Sequence, residues 1–302
     1  MTLEDYTENR MLIFRFVFLA AVIAAAPARA ALTLMHVHGL SYSPDGNRLM
    51  IPSHQGLAMY ENGKWAKAPG PQHDYMGFSA TSTHLYSSGH PAPDSGGVNP
   101  FGVIRSHDGG KTWDKLGLEG ESDFHLLATS WNTNVVYVWN HAPNSRMKHA
   151  GLHFTLNSGL GWTPAAAAGL DGEPRALAVH PDNAAIVAVA TSQGLYLSKD
   201  SGEHFAKLAS GGQGLSAFFD LGGKDVWYGA FEARPTLTRM PIDGGHGAQI
   251  ALPALTQDAV AYIAQNPARR LEYAIATFER SVYLSKDGGQ SWRQIADRGQ
   301  GK

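Results

Sequence analysis

Apolar and polar positions along this chain come in short bursts, not in helical stripes. Runs rich in Val, Ile, Leu, Tyr and Phe are each closed by Gly, Pro, Asn or Asp, which is the pattern of short β-strands separated by tight turns. The first unit has predicted strands at 36–43, 48–53 and 56–60, with Pro44-Asp45-Gly46 as the turn between the first two. Later units repeat the grammar at 75–81, 85–88 and 102–106, at 124–130, 135–139 and 151–155, and at 176–180, 186–191 and 194–198. The last two units follow at 215–220, 226–231 and 236–240, and at 259–264, 273–277 and 281–285. Each third strand runs into a polar hairpin, so each unit has room for a fourth strand.

The hairpins carry the strongest signal. Ser106-His107-Asp108-Gly109-Gly110-Lys111-Thr112-Trp113 returns almost unchanged as Ser285-Lys286-Asp287-Gly288-Gly289-Gln290-Ser291-Trp292. Ser198-Lys199-Asp200-Ser201-Gly202-Glu203-His204-Phe205 is a looser copy, and Thr155-Leu156-Asn157-Ser158-Gly159-Leu160-Gly161-Trp162 looser still. The motif resembles the Asp-box, or BNR, repeat S-x-D-x-G-x-T-W of sialidases, sortilin-like receptors and many exported β-propellers. Its physics is that of a tight hairpin: the Asp accepts hydrogen bonds from turn amides, Gly takes a backbone angle other residues resist, and the aromatic packs between sheets. Degenerate copies fall in register at Tyr60-Glu61-Asn62-Gly63-Lys64-Trp65 and Pro241-Ile242-Asp243-Gly244-Gly245. The period of about 45 residues is that of a four-stranded blade. Residues 31–302 therefore read as one all-β domain, a six-bladed β-propeller of antiparallel blades.

Composition adds an address. Residues 16–26 form an apolar run preceded by Arg15 and followed by Ala28-Arg29-Ala30, so 1–30 reads as an export signal, with Met11 as an alternative start after the acidic residues Glu4, Asp5 and Glu8. The run is short for a membrane span, and the mature protein is expected to be periplasmic or secreted, to have no membrane span and to be monomeric. A formal charge of −2 leaves no basic footprint for nucleic acid. The chain has no Cys, so any transition-metal site must use His, carboxylate or Met.

Propeller topology sorts the remaining polar residues by face. Loops joining second to third strands share a mouth of the central channel with the starts of the inner strands, and the Asp-boxes lie on the opposite face. Half of the 14 histidines fall at that mouth in the first three blades: His36, His38, His54, His73, His90, His125 and His141. The other half of the ring offers Glu173, Arg175, Glu232, Arg234, Asp258, Glu279 and Arg280. His36 and His38 are one residue apart on an extended segment, so both side chains leave by one face. That arrangement suits two imidazoles on one metal ion. Met35 and Met76, with Met147 further along, are placed to add thioethers, which favours copper over calcium or magnesium and leaves zinc as the second choice. Asp74 and Asp123 are expected to ligate directly or to orient an imidazole.

The segments His36-Val37-His38-Gly39-Leu40, His73-Asp74-Tyr75-Met76-Gly77-Phe78, Ser88-Gly89-His90-Pro91 and Gly120-Glu121-Ser122-Asp123-Phe124-His125 together resemble an exported bacterial Asp-box propeller family, usually labelled glycosyl hydrolase or sialidase-like. The resemblance implies copper or heavy-metal handling in the cell envelope, with a redox role as one form of it. It also raises glycoside hydrolysis as an alternative, with Glu232, Glu279, Asp74 and Asp123 as carboxylates and Tyr75 or Tyr262 as nucleophile. True sialidase chemistry needs an early Arg in an F/Y-R-I-P motif, and the first Arg of the mature chain sits instead in Asn47-Arg48-Leu49-Met50. A third reading is an assembly factor that docks an envelope protein through Trp131, Trp139 and the long loops 88–102 and 140–151.

Overall fold

The computed structural model describes residues 32–302, so the export-signal reading lies outside the described residues. Six antiparallel sheets follow one another along the chain, each with its strands in sequence order from the channel outwards. Blade one comprises Ser41–Tyr42, Leu49–Ser53, Gly56–Glu61 and Lys64–Lys67, and blade two Asp74–Ala80, Leu85–His90, Val103–Ser106 and Asp114–Gly117. Blade three is Leu127–Thr129, Val136–Asn140, Gly151–Thr155 and Thr163–Pro164; blade four is Pro174–Val179, Val187–Thr191, Gly194–Ser198 and Ala206–Ala209. Blade five is Gln213–Phe219, Asp225–Phe231, Pro235–Pro241 and Ala248–Gln249. Blade six is Val260–Gln265, Tyr273–Thr277, Val282–Ser285 and Arg293–Asp297, with a fifth short strand at Gln300–Gly301. The molecule is the six-bladed β-propeller that the repeat spacing predicts. Among the described residues no helix is long and apolar enough to cross a membrane.

Two inner strands are shorter than their hydrophobic pattern. Blade one pairs only Ser41 with Met50 and Tyr42 with Leu49, against a predicted strand over 36–43. Pro52 lies opposite this stretch and has no N–H to give, so its carbonyl alone takes the His38 amide at 3.2 Å. In blade three the Phe124 amide leaves the ladder to donate to the Ser88 hydroxyl at 2.9 Å.

Each blade is buried on both faces, which is why its second strands read as unbroken apolar runs. In Tyr273–Thr277, Tyr273 and Ile275 pack toward blade five while Ala274 and Ala276 pack toward blade one. Six apolar clusters result, one between each pair of neighbouring blades. The cluster formed by Leu49, Ile51, Ala274 and Ile295 joins the first blade to the last. Backbone bonds close the same seam: Leu34 N–H donates to Gly299 at 2.7 Å, and Gly301 N–H to Leu32 at 3.1 Å.

The Asp-boxes behave as scaffold. The Ser106 hydroxyl donates to Asp108 at 2.8 Å and accepts the Gly110 amide at 2.8 Å; Asp108 in turn accepts the Lys111 and Thr112 amides at 3.0 Å. Ser285 and Asp287 repeat this network, with the Ser291 hydroxyl on the second carboxylate oxygen. In blade four the His204 ring takes the place of that hydroxyl, its Nδ1 lying 2.8 Å from Asp200. Asn157 makes a neutral version in blade three. The aromatic that ends each box packs inward, Trp113 on Tyr75 and Trp162 on Phe124. Blade one instead turns through Asn62 and Gly63, both with positive φ, a two-residue hairpin that needs no carboxylate.

Donors around Asp200 and Asp287 hold both carboxyls down to about 2, led by the His204 amide for the first and the Ser291 hydroxyl for the second. The stability they contribute is present above the ordinary carboxyl range and lost as pH falls from about 4 through about 2. An Asp287→Asn variant is expected to melt lower than the parent at pH 6 and to show a shallower loss on acidification to pH 2. Parallel acid melts of the two proteins would reveal the box as energetically idle.

Candidate metal centre

Alternation along the first segment sets the site. Val37 turns into the core between blades six and one, which sends the flanking His36 and His38 to the mouth. The register that pairs Ser41 with Met50 carries His38 to the end of the second strand, next to the turn holding His54. That turn is fixed by Ser53, whose hydroxyl accepts the Gln55 amide at 3.3 Å and donates to Gly56 at 3.1 Å. Gly56 sits at φ +90°, and a Cβ there would press on the Gln72 amide. The three imidazoles meet: ring centroids of His54 lie 4.3 Å from His36 and 4.7 Å from His38, and His36 stacks parallel to His38 at 5.8 Å. One nitrogen from each can be chosen so that all three lie within 4.8 Å of one another, the grouping of donors a single ion requires.

Two features tune the trio. The Nδ1 of His54 lies 2.7 Å from a carboxylate oxygen of Asp74, the first residue of the next blade. This leaves Nε2 of His54 as the free lone pair, the arrangement by which a carboxylate orients a metal-binding imidazole. His38 has a buried Nε2 with no hydrogen-bond partner. Burial, reinforced by His54, brings its pKa down to about 4, so the ring is neutral and its lone pair available at neutral pH.

One blade further round, a similar pairing recurs. His90, at the end of a second strand, lies 3.1 Å from Asp123 at the start of the next blade, and His125 lies 3.4 Å from the same carboxylate oxygen. Here, however, both nitrogens of His90 are engaged, Nδ1 being 2.6 Å from the Asn99 side-chain oxygen. His73 is turned away: its Nδ1 accepts the Ala92 amide at 2.9 Å, and its ring packs on Tyr75 and Phe101. His141 is exposed at the rim. Met35 is exposed beside His36, while Met76 is buried and Met147 is locked in the core between blades two and three, out of reach of the mouth. Asp74 reaches back to His54 of blade one and Asp123 to His90 of blade two, contacts whose only sign in the sequence is a place at inner-strand starts.

On the opposite side of the ring, Glu232 and Glu279 are exposed on turns of blades five and six. Asp258 accepts the Ala259 and Glu279 amides, and Arg175 donates to Gln213 at 2.7 Å. Tyr75 is fully buried against Trp113, its hydroxyl donating to Pro71 at 3.0 Å. Trp131 follows the end of an inner strand and so lies at the far end of the channel, not beside the two long loops as expected. Trp139 packs its ring against the core between blades three and four.

Residues 104–115 match the BNR/Asp-box repeat family. No curated protein matches the chain in sequence. Among solved structures, it is similar to a GH74 enzyme from Niastella koreensis at 15% identity and TM-score 0.61, covering 88% of this chain and 46% of that one. An ancestral GH74 enzyme aligns at 13% identity and TM-score 0.54, over 90% of this chain and 40% of the other. YCF48 from Cyanidioschyzon merolae aligns at 14% identity and TM-score 0.50, over 90% and 88%. These likenesses are of fold, and the chain spans less than half the length of either GH74 enzyme.

Proposed function

We propose that this Asp-box propeller binds one transition-metal ion through His36, His38 and His54, and that it serves metal handling in the cell envelope. The observation that carries the reading is the convergence of three imidazoles, one of them with a buried nitrogen lacking any partner. Three imidazole nitrogens suit zinc or copper, and copper is the metal that the family resemblance favours. Three protein ligands leave a coordination position for water or another small ligand. Export of the chain would place this site where envelope copper is met.

Chelator-free protein is expected to take up one equivalent of copper or zinc, measured by elemental analysis after gel filtration. Asp74→Asn removes the charge that orients His54 without touching a ligand, and should weaken binding by about 10–100-fold. Protein that takes up no metal, or an Asp74→Asn variant with parent affinity, would contradict the assignment.

A further inference from the structure

Loops that join first to second strands, and hairpins that join third to fourth, share the face opposite the metal mouth. At the seam between blades six and one they line a cleft of about 640 Å³. Arg269 and Arg270 enter it from the first loop of blade six, Lys286 from the Asp-box hairpin and Arg293 from the start of the fourth strand. Asn62 and Gly63, on a turn of blade one, also line it. The cleft is therefore bordered by four cations and one acid, Glu272, in a protein whose formal charge is −2.

Internal bonds neutralise one of those cations and leave three. The buried Glu272 carboxylate accepts from Asn266 at 2.8 Å and from Arg269 at 2.9 Å, and Arg269 also donates to the Gly46 carbonyl at 2.6 Å. Asn266 accepts the Ala268 and Arg269 amides, and Gln265 donates to the Arg270 carbonyl at 2.6 Å, so the loop backbone is held at several points. The exposed side chains of Arg270 and Lys286 have no hydrogen-bond or ion-pair partner among the described residues. Arg293 commits one donor, to the Tyr60 hydroxyl at 3.3 Å. Acids on neighbouring segments are engaged elsewhere: Asp45 with Ser43 and Asn47, Glu61 with Arg48, and Asp287 within its own box. A single surface cation is ordinarily just solvated, but three unpaired ones around one concavity sum to a potential that holds an anion.

We propose that this cleft binds a phosphate group, borne by a soluble ester or by a lipid, through Arg270, Lys286 and Arg293. Two guanidinium forks and one ammonium point charge suit a dianion with three terminal oxygens better than a carboxylate, which offers two. The cleft is larger than a phosphate alone, which leaves room for the group esterified to it. None of its residues belongs to the imidazole trio, and it needs no metal.

The test is calorimetric titration of metal-free protein with inorganic phosphate, glucose 6-phosphate and glucose at about pH 7.5, where a phosphate ester carries close to two charges. Sedimentation with phosphatidylcholine vesicles, with and without phosphatidic acid, runs beside it. Glucose 6-phosphate or phosphatidic acid is expected to bind, and glucose and pure phosphatidylcholine at least about tenfold more weakly. Arg270→Gln and Lys286→Gln should each weaken binding by about tenfold or more. Both should melt close to the parent, because neither side chain holds another in place. A soluble ester that binds identifies a solute as the source, and binding confined to phosphatidic acid vesicles identifies a lipid; both support the site. The inference is overturned if no phosphate probe binds above the glucose and phosphatidylcholine controls, or if Arg270→Gln/Lys286→Gln binds like the parent. Phosphate affinity lost in a His36→Ala/His38→Ala variant would place the anion at the imidazoles and overturn it too. Phosphate binding by a parent protein that takes up no metal would support the cleft and contradict the metal reading alone.

Discussion

A His36→Ala/His38→Ala variant is expected to lose metal affinity by about ten-thousandfold while keeping its fold. Structural zinc sites gain about 10–16 kcal/mol from about four ligands, or roughly a hundredfold per ligand. The double variant removes two of three. Both side chains project from a segment whose packing is supplied by Val37, and neither imidazole belongs to a core cluster. Thermal melting of the metal-free variant should therefore stay close to that of the metal-free parent. Competition titration against a chromophoric chelator measures the loss; a variant within about tenfold of the parent would remove these two residues from the site.

The largest effect on stability is expected at the seam between blades five and six. Trp227 is fully buried and stacks on Tyr273 with centroids 4.1 Å apart, and its ring lies against the Asp-box glycine Gly289. Trp227→Ala leaves a cavity between two sheets and should cost about 3–5 kcal/mol in equilibrium denaturation, a large share of the roughly 5–15 kcal/mol by which domains are stable. The indole N–H is buried without a partner, so Trp227→Phe, which removes that donor and keeps most of the ring, should lose much less. Equal losses for the two substitutions would mean that the seam tolerates a cavity as well as a ring.

The blades were legible because their signals are local. Apolar runs bounded by turn residues, and an Asp-box whose donors lie within a few residues of its acceptor, need no knowledge of the rest of the chain. The meeting of His36 with His38 was equally legible, since strand alternation alone puts them on one side. His54 joined them through a topological rule, that the end of a second strand returns to the mouth where the inner strand began. Contacts between blades were not legible. Nothing in the order of residues marks Asp74 as the partner of His54 or Asp123 as the shared acceptor of His90 and His125. His73 and His90 carry the same spacing signal as the trio, yet the Ala92 amide and the Asn99 side chain, both from the long loop of blade two, engage their nitrogens. Trp131 illustrates a different failure: with the inner strand ending at Thr129, it belongs to the opposite end of the channel.

The central claim is that three imidazoles of blade one hold a single ion. Anomalous diffraction from copper-soaked crystals, recorded on both sides of the copper edge, tests it directly. The account expects one strong peak about 2 Å from a nitrogen of each of His36, His38 and His54, at bonding distances typical of metal–imidazole sites. A peak confined to other residues, or crystals that bind copper only through scattered surface groups, would contradict it.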